Sequence, residues 1–367
     1  MTKPAPVSVV VPAYNAERFI ALALESAFAQ TLPVAEVVVV DDGSTDRTFD
    51  VARRFDVRVI RQPNGGLSAA RNAGIRAATQ PWVAFMDADD LWAGNKIERQ
   101  FEAVASCPEA AMVCCDYYRV DDAGETAGLP QIDPLPRRPF FDAHGTPVGQ
   151  SVTLFKQVAG DMLTYFFPLP STVIVRRDTI LSVGLFDEGL RRVEDMECFL
   201  RVLSGRGLAV VEEPLVYYRQ HESSLTHNVM EMHRALGDVH RMVTERPDRY
   251  VPDTADALKN YWRHSAVEAG RKLLAREQYA EARELLGEAL SKGYSRRAGI
   301  LYAFSYCPRP LFDCALRTKR LLVRKKIISE VMEFRLAKAL ARVRPKSGPL
   351  VNAGRVSAEQ IPPPTGD

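Results

Sequence analysis

Residues 82–92, WVAFMDADDLW, join a short apolar run to three carboxylates that follow it directly. The apolar part, 82–86, is typical of a buried strand in a parallel sheet. Asp87, Asp89 and Asp90 then fall at the carboxyl end of that strand, where open α/β sheets bind ligands. A divalent cation that shares its other positions with phosphate oxygens and water would relieve the repulsion between these acids. A polar turn that caps the next helix is the alternative interpretation.

Three apolar, β-branched runs precede this stretch and alternate with segments of helical or turn character. The pattern predicts strands at 7–11, 36–40 and 57–60, and helices at 19–30, from Ser44 or Thr45 as N-cap to about 55, and at 67–78. Such alternation predicts a right-handed, doubly wound α/β sheet.

Polar residues follow the first, second and fourth predicted strands and should line one crevice. The first turn reads Pro12-Ala13-Tyr14-Asn15 instead of the glycine-rich dinucleotide fingerprint, which argues against an NAD-type cradle. A tyrosine can offer a flat face to a base, and a carboxylate can accept hydrogen bonds from a base or ribose. The alternative for Asp41 and Asp42 is turn chemistry.

Arg71, within the third predicted helix, can neutralise a phosphate or orient an aspartate. An ion pair that only holds this helix to the sheet is the alternative. Later in the chain, strands are predicted at 111–118, 171–176 and 210–219. Glu194 and Asp195 stand at the start of a predicted helix. Helix capping and a favourable interaction with the helix dipole would account for one of these acids without a catalytic role.

The 367 residues suffice for two ordinary domains, and 46% hydrophobic with 26% charged residues is a globular composition. The net charge of +2 does not indicate a nucleic-acid partner. The six cysteines form no CxxC pair, which indicates reduced, cytosolic usage. We expect neither a signal peptide nor a transmembrane helix.

The chain becomes helical in pattern after about residue 228. Residues 317–346 interleave many basic with apolar residues, which predicts either a peripheral helix at an anionic membrane surface or an ordinary solvated helix. Residues 345–367, rich in Pro, Gly and Ala, are predicted to be a disordered tail.

Four motifs, in order, resemble glycosyltransferase family 2: PAYN at 12–15, VDDGSTD at 40–46, GLSAARNAG at 66–74 and DADDLW at 87–92. The resemblance covers about 7–225. It implies an inverting, metal-dependent enzyme of the GT-A fold, an α/β fold with a Rossmann-like mixed sheet flanked by helices. A C-terminal helical extension would follow this fold.

The resemblance also implies a donor site for a nucleotide sugar, most often a UDP sugar. Pro12 and Tyr14 match positions that contact uridine, and Asp42, with help from Asp41, matches the acid that pairs with the base. The nucleotide-sugar site as a whole would comprise Pro12, Ala13, Tyr14, Asn15, Glu17, Asp41, Asp42, Arg71, Asp87 and Ala88.

Metal and catalytic roles are implied in the same way. Asp87, Asp89 and His221 would hold Mn²⁺ or Mg²⁺ against the diphosphate. Asp195 matches the general base, and a carboxylate there could take the proton of the acceptor hydroxyl. Glu194 would orient a neighbour or the acceptor.

The domain prediction places the catalytic domain at 1–227, with a donor half at 7–118, an acceptor half at 165–225 and a loop insertion at 120–160. A helical region at 228–344 precedes the tail. The predicted function is transfer from a UDP sugar to a glycan or lipid-linked acceptor in bacterial-type cell-surface polysaccharide synthesis, in the cytoplasm or at the inner face of the membrane. The alternative is a non-catalytic nucleotide-sugar-binding scaffold protein.

Overall fold

A computed structural model of the chain has a ten-stranded mixed sheet at its centre. It describes residues 3–126, 130, 141, 144–149, 151–156, 168–221, 228–291, 299, 301, 302 and 305. The strands lie in the order β3-β2-β1-β4-β9-β6-β10-β8-β7, and β5 pairs with β10.

The strands are β1 (Ala5–Ala13), β2 (Val34–Asp41), β3 (Arg58–Arg61), β4 (Trp82–Phe85), β5 (Leu91–Trp92), β6 (Ala110–Val120), β7 (Thr146–Val148), β8 (Val152–Phe155), β9 (Ile174–Arg176) and β10 (Gly207–Arg219). The helices are α1 (Ile20–Phe28), α2 (Thr48–Ala52), α3 (Leu67–Ala77), α4 (Lys96–Ser106), α5 (Arg177–Ser182), α6 (Glu194–Leu203), α7 (Val229–Glu245), α8 (Thr254–Ala275) and α9 (Tyr279–Ser291).

The first half of the sheet is the predicted parallel unit. β1 pairs in parallel with both β2 and β4, and β2 pairs in parallel with β3. All but one residue of β1 is buried, because helices cover both faces of the sheet. The parallel strands therefore end at one edge, and β4 delivers the 87–90 acids there as predicted.

Antiparallel strands make the second half of the sheet mixed. β9 runs antiparallel to both β4 and β6, which places it between the two halves. β10 is parallel to β6 and antiparallel to β8. The carboxyl ends of β6 and β10 therefore lie at the same edge as those of β1, β2 and β4.

Three local predictions differ from the structure. The segment 120–160, predicted as a loop insertion, contributes β7 and β8 to the edge of the sheet. The predicted strand at 171–176 is a strand only from Ile174, after a 3₁₀ turn over Pro170–Thr172. Helix α2 has five residues and begins at Thr48, so neither Ser44 nor Thr45 is its N-cap.

The C-terminal region is helical where it is described, and it packs on the sheet domain. Met196 and Leu200 of α6 share one apolar cluster with Leu236 and Val239 of α7 and Leu258 of α8. The segments 317–346 and 345–367, predicted as a basic helix and a disordered tail, lie outside the described residues. No helix in the described part of the chain is long and apolar enough to cross a membrane.

The packing of α3 on β1 depends on a glycine. A Cβ at Gly74 would overlap the Val10 side chain, which is fully buried. We expect Gly74→Ala to destabilise the protein by about 1–3 kcal/mol, because overpacking exceeds the gain in helix propensity. Urea unfolding followed by circular dichroism measures this free energy.

Gly287 in α9 is the matched control. A Cβ there would lie 3.4 Å from a Tyr302 ring carbon, an ordinary contact. Gly287→Ala should therefore be neutral or stabilise by up to about 1 kcal/mol. Equal effects of the two substitutions would contradict this description of the α3–β1 contact.

Candidate active site

The first turn of the candidate site follows β1. Pro12 and Ala13 are buried at the end of the strand, whereas the Tyr14 side chain is 53% exposed. Asn15 has a left-handed backbone (φ 49°), which asparagine tolerates well, and its Oδ1 accepts the Thr45 N–H at 2.9 Å. The Glu17 carboxylate accepts the Arg47 N–H at 3.0 Å. Asn15 and Glu17 thus fasten this turn to the loop after β2, and Tyr14 keeps an open face.

Asp42 shapes the glycine turn before α3. Its carboxylate accepts the N–H groups of Gly65 (2.9 Å) and Gly66 (2.8 Å) and the side-chain amide of Gln62 (2.8 Å). Gly66 has a left-handed backbone (φ 89°), which glycine adopts without steric strain. The turn role that the sequence left open for Asp42 is therefore present, and its role in base recognition stays a prediction.

Asp41 is fully buried beside the same loop. Its Oδ1 accepts the Ser44 N–H at 3.1 Å, and its Oδ2 lies 3.1 Å from Nε of the half-exposed Arg61. The loop after β2 is thus held by a buried carboxylate with a cation on its solvent side.

Arg71 connects the strand-end acids to helix α6. Its guanidinium donates from Nη2 to Asp87 Oδ1 at 2.8 Å and from Nη1 to Glu194 Oε1 at 2.6 Å. The side chain is 1% exposed, and its guanidinium carbon lies 5.4 Å from the centre of the Phe186 ring. The alternative that the sequence offered, an ion pair that holds α3, is therefore realised, although the pair also joins two predicted site residues.

Asp89 lies against His221, which is 132 positions later in the sequence. The Asp89 Oδ2 and His221 Nε2 atoms are 3.0 Å apart, and the imidazole stacks on Phe19 with ring centres 5.2 Å apart. Burial and the neighbouring Asp87 carboxylate raise the pKa of Asp89. Ala88 is buried between the two acids.

Sequence analysis counted Asp90 among the acids after β4 but gave no role to Arg219, and contacts of both residues join the acidic loop to the end of β10. The Arg219 side chain donates from Nε to the Asp89 carbonyl at 3.0 Å, and its backbone N–H donates to Asp90 Oδ1 at 3.0 Å. Burial, then the Asp89 and Asp87 carboxylates, raise the pKa of Asp90 well above its usual value. The only local signal was an arginine two residues before His221 at the end of a predicted strand.

Asp195 stands in the first turn of α6, after a residue with strained geometry. Val193, the N-cap, is left-handed (φ 51°), which is unfavourable for a β-branched residue. The partly exposed Asp195 carboxylate accepts the N–H of Met196 at 2.8 Å. Burial and the Glu194 carboxylate raise its pKa to about 7, and Arg71 opposes that rise. A carboxyl with such a pKa can exchange a proton near neutral pH.

The side chains at the acidic loop fit a divalent cation in part. Asp89 and His221 offer an oxygen and a nitrogen donor side by side, and a cation there would offset the repulsion that raises the pKa of Asp89. Asp87 already directs Oδ1 at Arg71. Within the described ranges, no group of three or more His, Cys, Asp or Glu side chains is arranged to hold a metal. The set Asp87, Asp89 and His221 stays a prediction that needs ligands from elsewhere.

The Arg71 network allows a test of stability. Removing one partner of a buried ion pair leaves the other charge uncompensated, so Arg71→Leu should destabilise the protein by about 3–5 kcal/mol. Removing Glu194 as well, in Arg71→Leu/Glu194→Leu, should recover part of this loss. Urea unfolding of both variants measures the coupling.

Arg76→Leu is the control on the same helix, since Arg76 is exposed, and its effect should stay within about 0.5 kcal/mol. If the double variant loses as much as Arg71→Leu and Glu194→Leu together, the two side chains are not coupled.

Comparison with known proteins relates the first part of the chain to a protein family. The family model described as Glycosyl transferase family 2 matches residues 8–155. The uncharacterized glycosyltransferase EpsJ of Bacillus subtilis (strain 168) is 31% identical over 227 residues, which cover 60% of this chain and 62% of EpsJ. The chain thus spans less than two thirds of that relative. The Escherichia coli protein named UDP-Glc:alpha-D-GlcNAc-diphosphoundecaprenol beta-1,3-glucosyltransferase WfaP is 29% identical over 233 residues, which cover 60% of this chain and 80% of WfaP.

Solved structures show the same fold. The crystal structure of S. aureus TarS 1-349 in complex with UDP-GlcNAc superposes with a TM-score of 0.55 at 20% identity, covering 82% of this chain and 86% of that one. The mannosyltransferase PcManGT from Pyrobaculum calidifontis, in complex with GDP-Man and Mn²⁺, gives a TM-score of 0.52 at 19% identity, covering 93% and 89%. The predicted GT-A type α/β fold with a helical C-terminal region is confirmed. Through residues 8–155, the chain is similar to glycosyltransferase family 2.

Proposed function

We propose that the protein transfers a sugar from a UDP sugar to a hydroxyl of a glycan or lipid-linked acceptor, with inversion at the anomeric carbon, in bacterial-type cell-surface polysaccharide synthesis. The match of residues 8–155 to the family model supports the transferase class. The relative WfaP is named for a UDP-Glc donor and a diphosphoundecaprenol-linked acceptor, which supports the donor and acceptor classes.

The state of Asp195 is the observation that carries the catalytic part of the proposal. A sugar hydroxyl is a poor nucleophile, and a base with a pKa near the working pH takes its proton most effectively. Asp195 has a pKa of about 7 and is partly exposed. Glu194, the other candidate, already pairs with Arg71 at 2.6 Å, which favours Asp195 as the base.

On the donor side, the exposed Tyr14 ring would stack on the uracil, beside Pro12 and Asp42. Asp89 and His221, with Asp87 close by, would hold Mn²⁺ or Mg²⁺ against the diphosphate. Such a cation, when bound, supplies charge stabilisation for the departing diphosphate.

The reaction would be a single displacement. Asp195 takes the proton of the acceptor hydroxyl as its oxygen bonds to the anomeric carbon, and the bond from that carbon to the diphosphate oxygen breaks on the opposite face. The nucleoside diphosphate leaves with both electrons of that bond. One displacement from the opposite face inverts the anomeric centre.

A non-catalytic nucleotide-sugar-binding scaffold is the second candidate. It would keep donor binding at the same crevice, and the helices α7–α9 would serve as its interaction module. A cytoplasmic location, with peripheral membrane contact through 317–346, also stays a prediction.

Replacing the proposed base tests the chemistry directly. Asp195→Asn preserves the side-chain shape and much of the capping ability but cannot accept the proton. We expect transfer to slow by roughly 10²–10⁴-fold while UDP-sugar affinity stays unchanged. Turnover with the acceptor and calorimetric donor binding measure the two effects.

Asp178→Asn is the matched control, because Asp178 also accepts the N–H of the next residue at the start of a helix but lies at α5. It should leave transfer unchanged. Near-normal turnover by Asp195→Asn would make Asp195 a helix cap, and absence of transfer by the wild type with any donor would support the scaffold.

The pH dependence follows from the raised pKa of Asp195. The base must be unprotonated, so kcat/KM should fall as pH drops through about 7 and level off above it. The acidic limb should disappear in the residual activity of Asp195→Asn. The wild-type profile is measured between pH 6 and 8 at steps of about half a unit. A profile without a transition in this range would contradict this assignment.

The metal role is tested by binding. Loss of an outer-shell partner of a bound metal lowers affinity by about 10–100-fold. Asp89 is proposed as a direct ligand, so Asp89→Ala should weaken Mn-dependent UDP binding by more than that. Calorimetry with and without Mn²⁺ measures this, and the exposed Asp56→Ala is the control. Unchanged UDP affinity of Asp89→Ala with Mn²⁺ present would rule out this ligand.

A further inference from the structure

A second concave site lies at the opposite edge of the sheet from the candidate active site. A cavity of about 540 Å³ opens at the amino ends of β6 and β10. It is lined by Glu109, Ala111, Lys156, Arg176, Thr179, Gly205, Arg206 and Gly207. Strand β6 has eleven residues, so about 30 Å of strand separates this cavity from the crevice. The cavity therefore cannot be part of the proposed donor site.

The lining of this cavity carries excess positive charge. Lys156, Arg176 and Arg206 face a single acid, Glu109. In the part of the chain that the structure describes, none of the four forms an ion pair with another side chain. The described lining residues thus carry a formal charge near +2.

Neutral groups fix the two guanidinium groups in place. Arg176 donates to the carbonyls of Ala110 (3.2 Å) and Pro108 (2.8 Å), and its guanidinium lies 4.8 Å from the centre of the Trp82 ring. Carbonyl and ring partners orient a cation without cancelling its charge. The guanidinium is therefore already ordered before a ligand binds. Binding then loses less side-chain entropy, which favours affinity.

Arg206 is held in the same manner. Its Nη1 donates to the carbonyls of Val202 (3.3 Å) and Ser204 (3.2 Å). Among the described residues, and leaving out its chain neighbours, no atom lies within 4 Å of the place where a Cβ on Gly205, directly before Arg206, would stand. This open space allows a ligand to approach the backbone beside the guanidinium.

We propose that this cavity binds a phosphate-bearing anion, at a site separate from the donor crevice. Guanidinium forks match the oxygens of phosphate in pairs, and a dianion matches the excess charge of the cavity. A single carboxylate would leave one positive charge uncompensated. The phosphate can belong to a small soluble phosphate compound or to a lipid headgroup, and the cavity chemistry is the same for both.

Calorimetric titration of the full chain with inorganic pyrophosphate, without divalent metal, tests the site. Lys156→Gln/Arg206→Gln should weaken binding by about tenfold or more, because two charge-assisted contacts are lost. Arg176 is left intact, since its bonds to the backbone hold the sheet edge. Glu109→Gln should tighten binding, because it removes the only acid in the cavity.

Two controls separate this site from other anion binding. Arg54→Gln removes an exposed cation elsewhere and should change nothing. Asp89→Ala should also leave metal-free pyrophosphate binding unchanged, so failure of the proposed donor site and failure of this site are distinguishable. No pyrophosphate binding by the wild type, or equal binding by Lys156→Gln/Arg206→Gln and wild type, would overturn the proposal.

Vesicles distinguish the two sources of phosphate. If the ligand is a headgroup, co-sedimentation with phosphatidylglycerol vesicles should fall in Lys156→Gln/Arg206→Gln but not in Arg54→Gln. If the ligand is soluble, pyrophosphate binding should depend on Lys156 and Arg206 while vesicle binding does not.

Discussion

The candidate site depends on one buried cation. Burying a guanidinium is costly unless carboxylates compensate it, and Arg71 finds two of them, Asp87 at the end of β4 and Glu194 at the start of α6. Separating either acid from the arginine would leave a buried charge uncompensated. The two ion pairs therefore hold the acidic loop at a fixed distance from α6, the helix that carries Asp195. Arg71 also acts on the proton affinity of Asp195, because its charge opposes the rise in pKa that burial and Glu194 cause. One side chain thus links the end of β4 to the start of α6 and also lowers the proton affinity of Asp195.

Helix α6 is held from its other side by the C-terminal region. Arg201 donates to Glu197 from Nε and Nη2, at 2.6 Å each, and Tyr250 donates its hydroxyl to Glu197 Oε1 at 2.7 Å. Arg201 also donates to the Leu185 carbonyl at 2.6 Å, which ties α6 to the chain before it. Together with the apolar cluster shared by α6, α7 and α8, these contacts make the C-terminal helices a support for the helix that carries Asp195. The left-handed backbone of Val193 can persist because the structure on both sides of it is fixed.

Sequence reasoning could reach the sheet and the edge at which the site lies, because both follow from local patterns. The alternation of apolar runs with helical periods predicts β1 to β4, and the acids after β4 identify the carboxyl edge. It could not predict that Arg71 pairs with Glu194, since 123 positions separate the two residues and no local period records a contact of that range. Strands β7 and β8 were missed for a related reason: they are short, and pairing of β8 with β10 and of β7 with β8 stabilises them more than their own composition does. The cap predicted at Ser44 failed because its hydroxyl accepts the N–H of Asn15 from a different loop.

The adjacent acids Glu194 and Asp195 show how the same side-chain chemistry takes two roles. Successive residues of a helix point in directions about 100° apart, so only one of them can face Arg71. Glu194 does so and is committed to an ion pair at 2.6 Å. Asp195 keeps part of its surface exposed and has a pKa raised to about 7. Different environments that separate the proton affinities of neighbouring acids are a recurrent basis for assigning a base. Glu194 and Arg71 act on Asp195 in opposite senses, since the Glu194 carboxylate raises its pKa and the Arg71 guanidinium opposes that rise.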